Sequence, residues 1–357
     1  MKKNTHHRLL IFCIAMFCVS VSCGQAAKMN TPGTKLNYSL AHYSGIDWVS
    51  QTELAAFATD QNGGIIGYYL ENDDALYTLD LPPFIAELNC KGPDDINYTN
   101  PSLLPDGRLG LINGCKSFGD PPGLKRQYMV AYNFQTKETQ LLVNEPLPNY
   151  LSNGFTWNPD VTQGLQQIYG GLDGTIYWMS PEGVAPVDFA ISDGERSFLP
   201  SKDYPHFSDY PSQGIVFSPA WSPDGETIAF FATLDAIGRE GWGRADGEYK
   251  IFFMDPVEQM PVPVIGEIYH PSELIWSPDS KWFAFIGEYG ILKTRGLWLY
   301  SIDSGKISPV VSGRFRKIAW SPDGNKIAAT ICEPNHPNLP CDRYEVWEYD
   351  VSSIYQK

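Results

Sequence analysis

The sequence predicts an all-β fold, a six-bladed β-propeller with four-stranded blades whose ring is closed by an N-terminal strand. Three observations predict it. A turn of the type Trp-Ser-Pro-Asp-Gly recurs along the chain, strand-like runs accompany each copy, and helical periodicity is almost absent. A long period of this kind indicates an array of supersecondary units, and six small sheets packed face to face around an axis fit it.

Each unit is marked by the tryptophan of the turn or by the residue that replaces it. Successive markers are 55, 54, 64, 55 and 44 residues apart. After the turn come an apolar run, a variable loop, an aromatic run such as "KIFFMDP", and a shorter apolar run, which predicts four strands per unit. The markers are Trp48, Leu103, Trp157, Trp221, Trp276 and Trp320.

The repeated turn is explained by its own chemistry. Pro223 favours the first corner of a type I turn, Asp224 suits the second, and Gly225 can adopt the left-handed conformation that follows. The motif therefore needs no catalytic role, and we expect its tryptophan to pack between neighbouring sheets. Consecutive apolar residues in the runs predict sheets that are covered on both faces.

The last unit ends one strand short, after "EVWEYDV", whereas "TKLNYSL" near the start precedes the first unit. We therefore expect the N-terminal segment to supply the missing strand. This gives a single propeller domain over residues 35–357, preceded by a signal peptide over 1–22 and a flexible tether over 23–34.

The first residues predict export. Basic residues precede an apolar run from Leu9 to Val21, and small residues follow it. Cys23 stands in "VSVSCGQ", which resembles the lipobox of bacterial lipoproteins, although Ser20 occupies the place where leucine is usual. The resemblance implies lipidation at Cys23 and an envelope or periplasmic location; cleavage near Ala26 would instead give a secreted soluble protein.

The net negative charge of the chain excludes several classes of binding partner. Without residues 1–22 the chain has 23 Lys and Arg against 41 Asp and Glu, a net charge of −18. Such an acidic surface repels nucleic acid and anionic lipid headgroups, so we expect membrane contact only through a lipid anchor. The charge also has a simpler explanation, which is solubility.

Four cysteines follow Cys23. Their even number in an exported chain predicts two disulfides, and we expect Cys90 to pair with Cys115 and Cys332 with Cys341. Buried free thiols are the alternative. No CxxC spacing indicates zinc or redox chemistry.

The "WSPDG" turn, followed by an apolar strand and an aromatic strand, is similar to the repeat of TolB-type six-bladed propellers, which also occurs in relatives of prolyl oligopeptidase. The resemblance covers nearly the whole mature chain. It implies the fold only, because the small α/β domain that precedes the propeller in TolB has no counterpart here.

Sequence patterns for catalysis are lacking. There is no G-x-S-x-G elbow, and the turns do not match the Asp boxes of sialidases. Paired carboxylates occur at Asp73 and Asp74 and at Asp94 and Asp95, but solvated turns explain them better than a calcium site does. We therefore predict no catalytic residue, no metal and no cofactor.

Binding is predicted on one face of the ring. The insertions at 192–214 and 235–249 belong to the face opposite the Pro-Asp-Gly turns, together with the four histidines of the mature chain, His42, His206, His270 and His336. Aromatic and arginine side chains are enriched in binding sites. The candidate residues are Tyr204, His206, Phe207, Tyr210, Arg239, Trp242 and Arg244.

Two functions remain open at this point. The first is a non-enzymatic binding or scaffolding module of the cell envelope, with a protein or glycan as its partner. The second is a propeller enzyme, a lyase or hydrolase acting on a polysaccharide or lactone at the central opening, because fold alone does not decide function.

Overall fold

The structure is a computed structural model that describes residues 31–40, 43–59, 65–70, 75–79, 96–115, 127–147, 151–170, 173–187, 191–192, 197–198, 215–233, 248–332 and 344–355. Strands dominate this part of the chain. The all-β class predicted from the sequence is confirmed. None of the helices in these ranges is long and apolar enough to cross a membrane.

The strands follow one another with short turns or with segments outside the described ranges. In chain order they are β1 (Gly33–Leu40), β2 (Tyr43–Trp48), β3 (Leu54–Thr59), β4 (Ile65–Leu70), β5 (Tyr77–Thr78), β6 (Ile96–Leu103), β7 (Leu109–Cys115), β8 (Tyr128–Tyr132), β9 (Thr139–Leu141), β10 (Leu151–Trp157), β11 (Gly164–Gly170), β12 (Asp173–Ser180), β13 (Gly183–Pro186), β14 (Ile191–Ser192), β15 (Ser197–Phe198), β16 (Ile215–Trp221), β17 (Ile228–Thr233), β18 (Tyr249–Met254), β19 (Val262–Trp276), β20 (Trp282–Tyr289), β21 (Thr294–Ser301), β22 (Ile307–Ser312), β23 (Phe315–Trp320), β24 (Lys326–Cys332) and β25 (Tyr344–Asp350). One helical turn, α1 (Ser352–Tyr355), follows β25.

The described strands form four antiparallel four-stranded sheets, which are blades of a propeller-like arrangement. Three of them use consecutive strands, β2 to β5, β6 to β9 and β10 to β13. The fourth has the order β1-β25-β24-β23, so that the first strand lies at the edge of the sheet formed by the last three. A short two-stranded sheet, β14 and β15, is separate.

Strands β16 to β22 form a seven-stranded sheet because β19 has two partners. Its first half pairs with β18 and its second half with β20, and Ile268 is paired on both sides. The chain bends at this point, where Glu267 and His270 have positive φ and the register with β20 shifts. The sheet therefore consists of two four-stranded units that share one strand.

The innermost strands contact one another in cyclic order. β2 contacts β6, β6 contacts β10, and the series continues through β16, β19 and β23 back to β2. Within the described residues, six buried apolar clusters lie between neighbouring units of this cycle. Each unit thus packs against two neighbours, as the blades of a propeller do.

The consecutive apolar residues of the second strands are explained by this packing. In β17, Phe230 belongs to the cluster shared with the preceding unit, whereas Phe231 belongs to the cluster shared with the following one. Both side chains are fully buried. A strand that is buried on both faces has no polar face, because alternate side chains point to opposite sides of the sheet.

The Ser-Pro-Asp-Gly turn has the geometry that its sequence predicts. The backbone N–H of Gly225 donates to the carbonyl of Ser222 at 2.9 Å, and Gly225 has a φ of 81°. The Ser222 hydroxyl donates to Asp224 at 2.6 Å and accepts the N–H of Thr227 at 2.9 Å. The turns at Ser277 and Ser321 repeat the hydroxyl-to-aspartate bond at 2.6 Å.

The N-terminal strand completes the last sheet, as predicted. β1 runs antiparallel to β25, from Gly33 opposite Tyr349 to Leu40 opposite Tyr344. Its Leu36 is buried in the cluster between this sheet and the β2–β5 sheet. Beyond β25, Tyr355 of α1 stacks on the Trp320 ring and donates its hydroxyl to the Gly324 carbonyl at 2.9 Å.

Deletion of residues 33–40 should destabilise the protein. The change removes the pairing of β25 and leaves an exposed strand edge, which promotes aggregation. We expect the melting temperature to fall by at least about 5 °C, since the loss of several kcal/mol is involved. Differential scanning calorimetry and size-exclusion chromatography measure both effects.

Deletion of residues 24–30, which leaves β1 intact, is the control. A strand-deleted variant that melts and stays monomeric like the parent would contradict the pairing.

Candidate functional site

A central cavity of ≈ 610 Å³ lies where the inner strands converge. Its walls run from the residues three before each marker to the prolines of the turns, so it occupies the half of the inner strands nearest the Pro-Asp-Gly turns. Every inner strand contributes, and the walls present polar and apolar surface in nearly equal parts. The lining stretches are 45–48, 100–105, 154–157, 218–223, 272–276 and 317–320, with Pro159, Pro278 and Pro322 from the turns.

Bulges shape the cavity wall. Each inner strand shows a register shift a few residues before its marker. Asn100 and Ser218, at equivalent positions, have φ values of 51° and 50°, in the left-handed region that side chains rarely adopt. The residues three before each marker all line the cavity: Gly45, Asn100, Gly154, Ser218, Glu273 and Lys317.

Asp47 joins two neighbouring sheets at the cavity wall. Its Oδ1 accepts the N–H of Trp48 at 2.9 Å, and its Oδ2 accepts the N–H of Leu103 in the next sheet at 2.8 Å. Thr156 makes an equivalent bond, because its Oγ1 accepts the N–H of Trp221 at 3.0 Å. Burial raises the pKa of Asp47 from 3.8 to about 6, although the two N–H groups oppose the shift.

Glu273 and Lys317 form an ion pair in the same cavity. The Lys317 Nζ lies 2.9 Å from the Glu273 Oε1, and the two side chains are 38% and 19% exposed respectively. Burial raises the pKa of Glu273, although the Lys317 charge lowers it in part. The backbone of Lys317 is fixed by its N–H, which donates to Thr330 Oγ1 at 3.0 Å.

The marker tryptophans pack between sheets, and those in the cavity wall differ in their hydrogen bonds. The indole N–H groups of Trp221 and Trp320 donate to the glycine carbonyl of their own turn at 3.2 and 3.0 Å. Trp276 donates instead to Ala220 in the neighbouring unit at 2.9 Å. Trp48 and Trp157 precede turns without the full Pro-Asp-Gly sequence, and their buried Nε1 atoms have no hydrogen-bond partner among the described residues.

The binding residues predicted from the sequence, Tyr204, His206, Phe207, Tyr210, Arg239, Trp242 and Arg244, lie outside the described residues. So do Cys23, Cys90 and Cys341 and the histidines other than His270. His270 lies at the bend of β19, outside the cavity wall. Cys115 is disulfide-bonded, and its pairing with Cys90 stays a prediction, as does the pairing of Cys332 with Cys341.

Sequence reasoning missed the three ionisable residues of the cavity, Asp47, Glu273 and Lys317. The signal that could have found them is their place relative to the markers. Asp47 stands one position before a marker, and the other two stand three before theirs, where the other repeats have glycine, asparagine or serine. Across the described ranges, no group of three or more His, Cys, Asp or Glu residues could hold a metal ion.

Solved structures with a similar fold include a lyase and two TolB proteins. An oligogalacturonate lyase in complex with manganese is 12% identical, with a TM-score of 0.50 over 93% of this chain and 96% of that chain. A TolB from Agrobacterium tumefaciens is 16% identical, with a TM-score of 0.44 over 68% of this chain and 73% of that chain. TolB from Acinetobacter baumannii is 13% identical, with a TM-score of 0.47, and the match covers 83% of this chain but 59% of that chain.

No protein-family model matches the sequence, and no curated protein matches it. The similarities to solved structures are therefore similarities of fold alone. The repeated turn, the four-stranded sheets and the contacts between the inner strands confirm the TolB-type β-propeller fold that the sequence predicts.

Asp47 should make stability depend on pH. Because its folded-state pKa is raised from 3.8 to about 6, the folded protein binds the proton more tightly than the unfolded chain. Its contribution is fully present below pH 3.8 and is lost as the pH rises to about 6. We expect the parent to lose about 3 kcal/mol relative to Asp47→Asn across this window.

Urea unfolding of both proteins between pH 4 and pH 7 measures this difference, with Asp303→Asn in an exposed turn as the control. A difference that stays constant with pH would contradict the assigned environment of Asp47.

Proposed function

We propose that the chain is a six-bladed TolB-like β-propeller that acts as a non-enzymatic binding module of the cell envelope and holds its ligand in the central cavity. The six-bladed ring is supported by the cyclic contacts of the inner strands and by the two partners of β19. The pairing of β1 with β25 supplies its closure.

The cavity is the observation that carries the binding function. Its volume of ≈ 610 Å³ lies within the range of about 300–1,000 Å³ that is typical of ligand sites. Proline and tryptophan side chains share the walls with polar groups in nearly equal area, so the cavity offers both apolar contacts and hydrogen-bonding groups to a ligand. Gly154 leaves room in the wall, because a Cβ built there meets no atom within 4 Å.

The envelope location rests on the sequence. A signal peptide over 1–22 and lipidation at Cys23 would export the protein and anchor it through the tether over 23–34. The partner in this proposal is a protein segment or a glycan of the envelope. The face with the long loops, around Tyr210 and Trp242, remains a second proposed contact surface.

A side chain at position 154 should block the cavity. Leucine at this position would project into open space without backbone strain, because Gly154 does not have positive φ. We expect Gly154→Leu to melt like the parent but to lose ligands that the parent retains in native mass spectrometry with a panel of short peptides and cell-wall oligosaccharides. Gly154→Ala, which fills little space, is the matched control.

If the parent and Gly154→Leu retain the same ligands equally well, the binding site lies outside the central cavity.

The second candidate function is an enzyme that acts on a polysaccharide. The observation that favours it is the convergence of two carboxyl groups and one amine, Asp47, Glu273 and Lys317, in one cavity. Groups of this kind can transfer protons if a substrate reaches them. The oligogalacturonate lyase with a similar fold suggests acidic oligosaccharides as the substrates to examine first.

An assay can decide between the two functions. If the chain is a lyase, oligogalacturonates incubated with it should yield unsaturated products that absorb in the ultraviolet, and Lys317→Met should reduce the rate by at least about 100-fold. Addition of manganese in a parallel reaction covers a metal requirement. Absence of product with and without the metal would leave binding as the function.

A further inference from the structure

The charges in the central cavity are unequal. Among the residues that line it, the ionisable ones are Asp47, Glu273 and Lys317, two carboxyl groups against one ammonium group. Arg316, whose charge also acts on Glu273, is an exposed residue outside the lining. With both carboxyl groups ionised, the wall of the cavity therefore carries an excess of one negative charge.

The positions of the three groups show where this excess lies. Lys317 is held by Glu273 Oε1 at 2.9 Å, while Glu273 Oε2 makes no hydrogen bond to the described residues. Asp47 is held by two backbone N–H groups and makes no ion pair in the part of the chain that the structure describes, although the Lys317 charge stabilises it at longer range and the Glu273 charge opposes this. Backbone dipoles compensate a charge only in part, and burial makes the remainder costly.

Two glycines of the inner strands leave space for a ligand. Gly154 has no atom within 4 Å of a Cβ built on it, and a Cβ at Gly45 would meet Pro101 only at an ordinary contact distance of 3.5 Å. The lining also includes the rings of the marker tryptophans and of the turn prolines. Such walls suit an organic ligand with an aliphatic stem, and the volume far exceeds that of a bare ion.

We propose that the cavity takes the ammonium end of an aliphatic ligand, such as a lysine side chain of a peptide, with the cation at Asp47 and Glu273 Oε2 and the stem along the prolines and tryptophans. This inference rests on the proposed function and specifies the ligand of the same site. An ammonium group would balance the excess charge and donate to the carboxylate oxygen that has no partner.

An anionic ligand fits the same site poorly, which also counts against an acidic oligosaccharide as the substrate in the second candidate function. A carboxylate would have to displace Glu273 from Lys317, and it would bring a third negative charge into a partly buried space. Like charges in a partly buried site repel one another strongly, because little water is present to screen them. The acidic surface of the protein, with a net charge of −15 for the whole chain, would also slow the approach of an anion and attract a cation.

Three peptides that differ at one side chain test the proposal. The probes are acetyl-Ala-Lys-Ala-amide, its norleucine counterpart, which keeps the stem without the charge, and its glutamate counterpart. Isothermal titration calorimetry at pH 7 and low salt should show the lysine peptide binding at least about tenfold more tightly than the other two.

Two substitutions should change the affinity in opposite directions. Glu273→Gln removes the partner carboxylate, and we expect it to weaken the lysine peptide by about tenfold. Lys317→Gln removes the competing ammonium, and we expect tighter binding of the same peptide. Glu267→Gln, an exposed residue in the same strand, should leave the affinity unchanged. Thermal unfolding of each variant verifies that it is folded.

The outcomes separate this inference from the proposed function. If the norleucine or glutamate peptide binds as tightly as the lysine peptide, and Gly154→Leu abolishes that binding, the cavity binds ligands but the assigned charge is wrong. If Gly154→Leu leaves the binding of the lysine peptide unchanged, the central cavity is not the binding site, and the proposed function is wrong about its location. Absence of binding by the lysine peptide at millimolar concentration overturns the inference.

Discussion

The structure depends on one constraint, that each small sheet buries both of its faces. Phe230 and Phe231, adjacent in one strand, enter two different apolar clusters, and both are fully buried. A single sheet of four strands with two apolar faces would expose both of them to water, at roughly 25 cal/mol for each Å² of apolar surface. A cyclic arrangement avoids this exposure, because each sheet then has a neighbour on either side.

The same constraint produces the central cavity and gives its residues freedom to vary. Neighbouring sheets pack closely along their faces, but their inner edges only converge, and the bulges before the markers widen the gap between them. The residues three before each marker lie at these edges and belong to none of the apolar clusters between sheets. Glycine, asparagine, serine, glutamate and lysine can therefore occupy equivalent places in different repeats, as Gly154, Glu273 and Lys317 do.

Much of the fold could be predicted from the sequence because its determinants are local. The turn at Ser222 needs only its own hydroxyl, the Asp224 carboxylate and the conformational freedom of Gly225. The pairing of β1 with β25 followed from counting strands in the last repeat. The sequence did not predict that β19 is shared by two four-stranded units. The residues around its bend at Glu267 and His270 resemble those of an ordinary loop between two strands.

The site could not be predicted in the same way. Asp47, Glu273 and Lys317 come from three different repeats, and nothing in their immediate neighbours indicates that they meet. Their meeting depends on the cyclic order of the inner strands and on the register shifts that turn the residues three before the markers towards the cavity. The residues favoured from composition, such as Tyr210 and Arg244, lie outside the described residues, and their chemistry is visible in the sequence without their position.

The pairing of β1 with β25 has a consequence for the order of folding. Gly33 and Tyr349 are neighbours across a sheet although more than three hundred residues separate them, so this contact has one of the largest loop-closure costs in the molecule. Sheets made of consecutive strands, such as β6 to β9, can form from nearby segments without waiting for the rest of the chain. The last sheet, in contrast, remains short of its outer strand until both ends have been made and brought together. Until β1 pairs, the β25 edge would therefore be open to pairing with another copy, and the speed of this final step would govern how much of the protein aggregates.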